Sequence, residues 1–266
     1  MPVRVVESRQ NARLKALRKV LSAGGRGADG LGGIEGPNLL EEALRAKLRV
    51  ATVFVAQGAE KLLDALALPR DTEILIVPRT LLDAALATET PQPIAALVEV
   101  PSWSWPDLLN AKRGKALLLV LAGVQDPGNL GTMLRSAEAF GATGVVTLPG
   151  TVSAWNAKAV RASAGSVFRV PLLASNAEEC IAQLRESEVK ILATAIETGK
   201  AAELANLRAP VAILIGNEGN GLAKELAECA DAAITVPCPG PVESLNAAMA
   251  ATVLLYEAAR QRRGAR

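Results

Sequence analysis

Five polar residues sit where apolar, strand-like runs give way to helical spacing, and their types are those that grip a hydroxyl or an anion. The first run, 116–122, passes through Val124-Gln125-Asp126-Pro127-Gly128 into a helix that starts near Asn129, which is placed to cap it. Arg135 follows in the second turn, among Leu134, Ala137 and Phe140. An arginine in an apolar helix needs a partner. That partner is either a structural ion pair, or a phosphate or hydroxyl oxygen of a ligand held in the guanidinium fork. The second run, 211–215, enters Gly216-Asn217-Glu218-Gly219-Asn220-Gly221. Glycines at a strand end let a ligand approach the backbone closely, and Glu218 stands at the carboxyl end of that strand, where open α/β sheets bind ligands. The third run ends at Thr235-Val236 and meets Pro237, Pro239, Gly240 and Pro241, with Ser244 set to cap a long helix opening on Leu245 and Asn246. Three prolines fix that loop in advance, as a rigid small-molecule cradle requires.

The elements that must hold these residues follow from periodicity. Strands are expected at 116–122, 143–148, 190–195, 211–216 and 232–236, with helices at 129–140, 156–162, 177–187, 222–229 and 245–262. Short Val/Ile/Leu runs separated by helices predict a mostly parallel sheet covered on both faces. Upstream, a smaller alternation is expected: helix 38–48 beginning beside Pro37, strand 50–55, helix 59–67, strand 73–77, helix 79–87 and strand 94–100. Before it, Ser8 is read as the N-cap of helix 8–23, whose Leu14, Leu17 and Leu21 share one face and which Gly24-Gly25 stops. The glycine-rich stretch 24–33 reads as a mobile loop. Residues 101–115, with two prolines and a charge patch, read as a linker whose Trp103 and Trp105 pack onto a domain rather than stacking on bases.

Composition narrows the chemistry. The chain of 266 residues contains no histidine, which removes the usual neutral-pH general base and argues against a transition-metal site. Its three cysteines, Cys180, Cys229 and Cys238, lack metal-ligand spacing and read as reduced thiols. The glycine spacing is not that of a dinucleotide fingerprint, and no phosphate-loop Gly-Lys-Ser/Thr occurs. No apolar run has the length of a membrane span and the start lacks a signal-peptide pattern, so a soluble, cytoplasmic protein is expected. Net charge is only +2, yet residues 1–26 carry seven basic residues, among them Arg9, Arg13 and Arg18, against a single acid. A basic helix face on a near-neutral chain suits a polyanion such as RNA, or is simply solvated. The basic end, with Arg260, Arg262, Arg263 and Arg266, carries the same two readings.

The three signatures, Asn129–Gly141, Gly216–Leu222 and Val236–Asn246, resemble in sequence and order those of the SpoU (TrmH-like) RNA ribose 2′-O-methyltransferases of the SPOUT superfamily. The resemblance implies an α/β fold in which residues 106–266 form a knotted parallel-sheet catalytic domain with a trefoil knot. It implies that Gly216, Val236 and Leu245 contact S-adenosylmethionine, largely through backbone, and that Arg135, Asn129, Glu218, Ser244 and Asn246 form the catalytic constellation, with Glu218 positioning Arg135 or the ribose. Two departures stand out: Val236 replaces a frequent isoleucine, and Ala247-Ala248 replaces a frequent Val-Ser pair. The segment Arg161-Ala162-Ser163-Ala164-Gly165 also resembles a family segment and makes Arg161 an RNA contact beside Arg9, Arg13 and Arg18. Residues 1–105, through Ser8, Gln10-Asn11, Ile34-Glu35-Gly36 and Glu41-Glu42-Ala43, resemble the small α/β, ribosomal-protein-like substrate-binding domain found ahead of many such enzymes. What the family implies is a homodimer acting on RNA, with ribosomal RNA preferred, and using neither a metal nor a membrane. A transfer-RNA ribose methyltransferase, or a non-catalytic RNA-binding assembly factor on the same fold, is the competing reading. An oxidoreductase suits the strand–helix alternation but lacks its fingerprint.

Overall fold

A computed structural model describes residues 2–86, 88–110, 114–195, 199–241 and 244–263. In chain order the elements are β1 (Val3–Val5), α1 (Ala12–Ala23), β2 (Leu31–Glu35), α2 (Pro37–Arg45), β3 (Val50–Ala56), β4 (Glu73–Val77), α3 (Arg79–Asp83), β5 (Ile94–Glu99), α4 (Trp105–Leu108), β6 (Leu117–Ala122), α5 (Pro127–Ala139) and β7 (Gly144–Leu148). They continue with α6 (Ala157–Ala162), β8 (Leu172–Ala174), α7 (Ala177–Glu186), β9 (Lys190–Thr194), β10 (Lys200–Ala201), β11 (Val211–Ile215), α8 (Lys224–Glu228), β12 (Ala232–Thr235) and α9 (Ala247–Arg263). They divide into two compact units, one of Met1–Pro101 with Ser153–Phe168, the other of Ser102–Val152 with Arg169–Arg266.

The first unit is built on a five-stranded sheet ordered β1-β4-β3-β5-β2. Strands β1, β4 and β3 run parallel, and β5 is antiparallel to both β3 and β2. Helix α1 buries Leu14, Leu17, Val20 and Leu21 against Phe54, Leu75 and Leu82, leaving its basic residues outward. Its cap is Asn11 rather than Ser8: the Asn11 Oδ1 accepts from the N–H groups of Arg13 and Leu14 at 2.9 and 3.1 Å. The Ser8 hydroxyl accepts from Gln10 N instead, at 3.1 Å. Helix 59–67 shrinks to a 3₁₀ turn, Glu60–Leu63, with no buried residue, so it lacks the apolar face that sustains a longer helix.

The expected mobile loop is overturned at its end, where Leu31–Glu35 is a fully buried strand. Its glycines serve close packing. A Cβ on Gly32 would stand 2.4 Å from the Trp155 ring, so the indole packs against backbone that no larger residue could offer. Trp155 belongs to the stretch 153–168, which also packs Phe168 against that indole, with ring centroids 5.8 Å apart.

In the second unit a seven-stranded sheet runs β10-β12-β9-β11-β6-β7-β8, with every pairing parallel. The central strands β6 and β11 are buried along almost their whole length, as the continuous apolar runs predict. Trp105 is buried and its Nε1 donates to Glu179 at 3.3 Å, while Trp103 packs on the same cluster. Both tryptophans are therefore packing residues.

Arg262 does not belong to a solvated tail. Its guanidinium donates to the carbonyls of Leu207, Lys115, Ala116 and Ala209 at 2.9, 2.6, 2.9 and 2.8 Å, tying the end of α9 to the starts of β6 and β11. Burial pushes its pKa below the usual arginine value, but arginine remains charged. Arg260 pairs with Glu257, and Arg263 lies over the Tyr256 ring; Arg266 lies outside the described residues. Arg262→Ala should cost about 3 kcal/mol, since it leaves several carbonyls without their charged donor; urea unfolding at constant slope measures it.

Candidate functional site

The site forms at the carboxyl ends of β6, β11 and β12, where the three signature loops converge. Helix α5 starts at Pro127, two residues earlier than expected, and its N-cap is Asp126, which accepts from Asn129 N at 2.8 Å. Released from capping, the Asn129 amide donates its Nδ2 to Glu218 Oε1 at 3.0 Å and accepts at Oδ1 from Asn246 Nδ2 at 3.2 Å. A chain Asn246–Asn129–Glu218 thus stitches three loops together. Glu218 also accepts from Gln125 N and Asp126 N at 3.3 and 3.4 Å.

These bonds settle the state of Glu218. Partial burial is the largest single influence and pushes its carboxyl up. The Asn129 amide, the residue's own N–H and the N–H groups of Gln125 and Asp126 together outweigh it and hold the pKa below the usual 4.5. A carboxylate depressed in this way contributes order fully above its unfolded value, and loses it only as pH falls through the lower folded value. Cofactor binding followed by calorimetry should therefore be flat through neutral pH, with any Glu218-linked decline confined below pH 4.5.

The expected pairing of Glu218 with Arg135 is not made: the donors on Glu218 are the N–H groups of Gln125, Asp126 and Glu218 itself and the Asn129 amide. Arg135 stands exposed on α5, and among the described residues nothing bonds to it. It lies six residues beyond Asn129, about 9 Å along the axis. Among the described residues no ion pair engages it, and its fork is available to a ligand.

Beside this chain lies a cavity of about 360 Å³ lined by Gly216, Glu218, Val236, Ser244 and Leu245, together with Thr194, Ile215, Leu222, Ile234, Thr235, Cys238 and Leu254. That size falls within the range of about 300–1,000 Å³ typical of small-molecule sites. Its wall is unusually thin at Gly216. A Cβ there would lie 2.2 Å from the Gly221 carbonyl carbon and 2.4 Å from Leu222 N, so only glycine lets the loop fold back. Asn217, not singled out in the sequence, organises that fold. Its backbone pairs twice with Gly221 at 2.9 Å, its Oδ1 accepts from Gly219 N and Asn220 N, and its Nδ2 donates to Gly123 O at 2.8 Å. The signal was an asparagine in a glycine turn, a residue that bonds its own backbone.

Ser244 is exposed and does not cap α9; the helix opens at Ala247, and Asn246 Oδ1 accepts from Ala248 N and Met249 N at 2.8 and 3.4 Å. Apolar walls, backbone edges and a few hydroxyls fit an S-adenosylmethionine-sized ligand. Among the described residues no group of three or more His, Cys, Asp or Glu is placed to hold a metal, and no helix is long and apolar enough to cross a membrane.

The four remaining basic candidates lie in the first unit. Arg9 and Arg18 are exposed, Arg13 is 3.4 Å from Glu73, and Arg161 is 3.7 Å from Glu35.

Comparison with known proteins gives a consistent picture. The MRM3-like substrate binding domain matches residues 11–96 and the SpoU rRNA Methylase family matches residues 116–256. The 23S rRNA (guanosine(2553)-2′-O)-methyltransferase RlmP of Bacillus subtilis is 34% identical over 255 residues, 94% of this chain and 97% of that protein. Among solved structures, an AdoMet-bound rRNA methyltransferase from Sinorhizobium meliloti superposes with a TM-score of 0.83 at 30% identity, covering 97% of this chain and 98% of that one. The SpoU methyltransferase AviRb from Streptomyces viridochromogenes, in complex with AdoMet, gives 0.81 at 27% identity, covering 97% and 100%. Its three signature loops, its parallel sheet and these matches agree: the chain belongs to the SpoU rRNA Methylase family.

Proposed function

We infer that this protein transfers a methyl group from S-adenosylmethionine to a ribose 2′-hydroxyl of RNA, with ribosomal RNA as substrate. The observation that carries the reading is the Asn246–Asn129–Glu218 chain standing beside the glycine-walled cavity. The cofactor supplies a methyl group on a good leaving group, so the protein's task is chiefly positioning. Gly216, Val236 and Leu245 would hold it, largely through backbone. Arg135, permanently charged, orients the ribose hydroxyl and stabilises charge developing on its oxygen; it is no proton acceptor, and the hydroxyl proton passes to water or an RNA phosphate as the methyl is transferred. Glu218, saturated with donors, keeps the Asn129 amide in place rather than serving as general base. Ser244, exposed on the cavity rim, offers its hydroxyl to substrate or cofactor.

Residues 1–105 are assigned to RNA selection on a ribosomal-protein-like fold, and 106–266 to the chemistry. Arg9, Arg13, Arg18 and Arg161 are assigned to RNA phosphates. The segment from β11 to α9 is assigned as the threaded part of a trefoil knot, supported by the adjacency of β9, β11 and β6 in the sheet. The protein is assigned to the cytoplasm, where its substrate is found. On α9, Met249, Val253 and Tyr256 leave 57%, 39% and 46% of their surface exposed, and Leu245, just before the helix, leaves 37%. An apolar stripe of that kind is expected to be covered, and a second copy forming a homodimer is the assigned cover.

The test is transfer of labelled methyl to RNA from cells lacking the gene, separated into ribosomal and transfer fractions. Label in a 2′-O-methylated nucleotide of ribosomal RNA supports the reading. Label only in transfer RNA would replace the substrate. Absence of both label and cofactor binding would sink the enzyme and favour an RNA-binding assembly factor.

A further inference from the structure

The first unit contains a buried carboxylate that the methyl-transfer chemistry leaves unused. Glu35, the last residue of β2, keeps only 3% of its side chain exposed. Its Oε1 is fixed by the Thr88 hydroxyl at 2.8 Å and by Gln92 N at 2.9 Å. Its Oε2 is buried with no hydrogen-bond partner among the described residues and faces Arg161 Nη1 at 3.7 Å. Burying a carboxylate and leaving one oxygen unbonded is costly unless a charge compensates it. A surface arginine needs no such support, since an exposed ion pair contributes little. The arrangement makes sense if the arginine must be held in place. Arg161, 41% exposed on α6, is fixed from below by a carboxylate that itself cannot turn, while its outer N–H groups stay open.

We propose that Glu35 is a positioning residue: it aims the Arg161 guanidinium so that its free edge receives an RNA phosphate. This rests on the reading of Arg161 as an RNA contact. Two bonds clamp Glu35 before RNA arrives, so the side-chain entropy of the long arginine is largely lost in advance. The phosphate then docks on a preset fork. Glu35 itself touches no RNA.

The idea predicts a sign that bulk electrostatics would reverse. Glu35→Gln removes a negative charge beside the RNA surface and, on charge alone, should tighten binding. Positioning predicts weakening instead, roughly tenfold for one charge-assisted contact. Binding of the full-length protein to ribosomal RNA from cells lacking the gene would be titrated over a range of salt, alongside Arg161→Ala. Both variants should lower the slope of log affinity against log salt by about 0.7–0.9, the share of one phosphate. The double variant should be no weaker than Arg161→Ala, and S-adenosylmethionine affinity should be unchanged throughout. Glu35→Asp, one methylene shorter with the charge kept, should fall between wild type and Glu35→Gln, and serves should the glutamine variant not fold. Wild-type or tighter RNA binding by Glu35→Gln, or by Glu35→Asp in its stead, overturns the proposal. So does an unaltered slope in Arg161→Ala, which would remove Arg161 from the RNA surface yet leave methyl transfer as read. Failure of the wild-type protein to bind RNA at all would overturn both readings together.

Discussion

Arg135→Ala should lower methyl transfer by roughly 10²–10³-fold, the range for a donor that stabilises charge at the reacting centre. The protein should remain as stable as before, within about 0.5 kcal/mol, because an exposed side chain with no partner among the described residues leaves nothing unsatisfied when truncated. That separation is the informative part. A structural arginine would lose activity through stability, and the two losses would track each other. Steady-state transfer of labelled methyl to ribosomal RNA, with unfolding midpoints measured on the same preparations, checks both. Arg135→Lys keeps the charge but not the planar fork. If it retained full transfer, neither orientation by the fork nor its role in charge stabilisation would stand as described.

Gly216→Ala should abolish tight cofactor binding, with affinity falling about 100-fold or more, equivalent to roughly 3 kcal/mol. The argument is one of space. The new methyl carbon would meet the Gly221 carbonyl at 2.2–2.4 Å and Leu222 N at 2.4 Å, and these are backbone atoms that no rotamer change can move aside. The loop must open, and with it go the Asn217–Gly221 pairing and the seat of Glu218. Gly219→Ala is the control in the same loop, since its added methyl meets only Asn217 Oδ1, at 3.5 Å. Calorimetric titration with S-adenosylmethionine should separate the two variants clearly; equal affinities would show that the glycine turn is not the cofactor wall.

The legible parts of this chain are those governed by local physics. Strand β4 was found to the residue because an apolar run ends against Pro78. The parallel sheet followed from runs such as 117–121, apolar at every position. What failed required a partner distant in sequence. Gly32-Gly33 reads as part of a mobile loop until Trp155 is known to pack on Gly32 and Leu21 on Gly33. Arg262 reads as a solvated tail until four carbonyls from two strand starts surround it. One miss was local: Ser8 and Asn11 are equally good caps by type, and it is Asn11 whose Oδ1 meets the N–H groups of Arg13 and Leu14. At the site, Glu218 was picked out by its place at a strand end, but of its two expected partners, Arg135 or the ribose, the protein's own arginine makes no bond to it and Asn129 does. Asn129 lies 89 residues away, and no spacing rule reaches that far.

The stretch 153–168 carries a consequence for synthesis. It is translated after β6, α5 and β7, yet it supplies the indole that closes over Gly32 and the arginine facing Glu35. A nascent chain halted near residue 100 would hold all five strands of the first sheet while exposing the seat of Trp155. Vectorial folding therefore cannot finish the first unit before starting the second. The amino-terminal sheet has to wait, its last face open, until about a third of the other unit's sequence has left the ribosome.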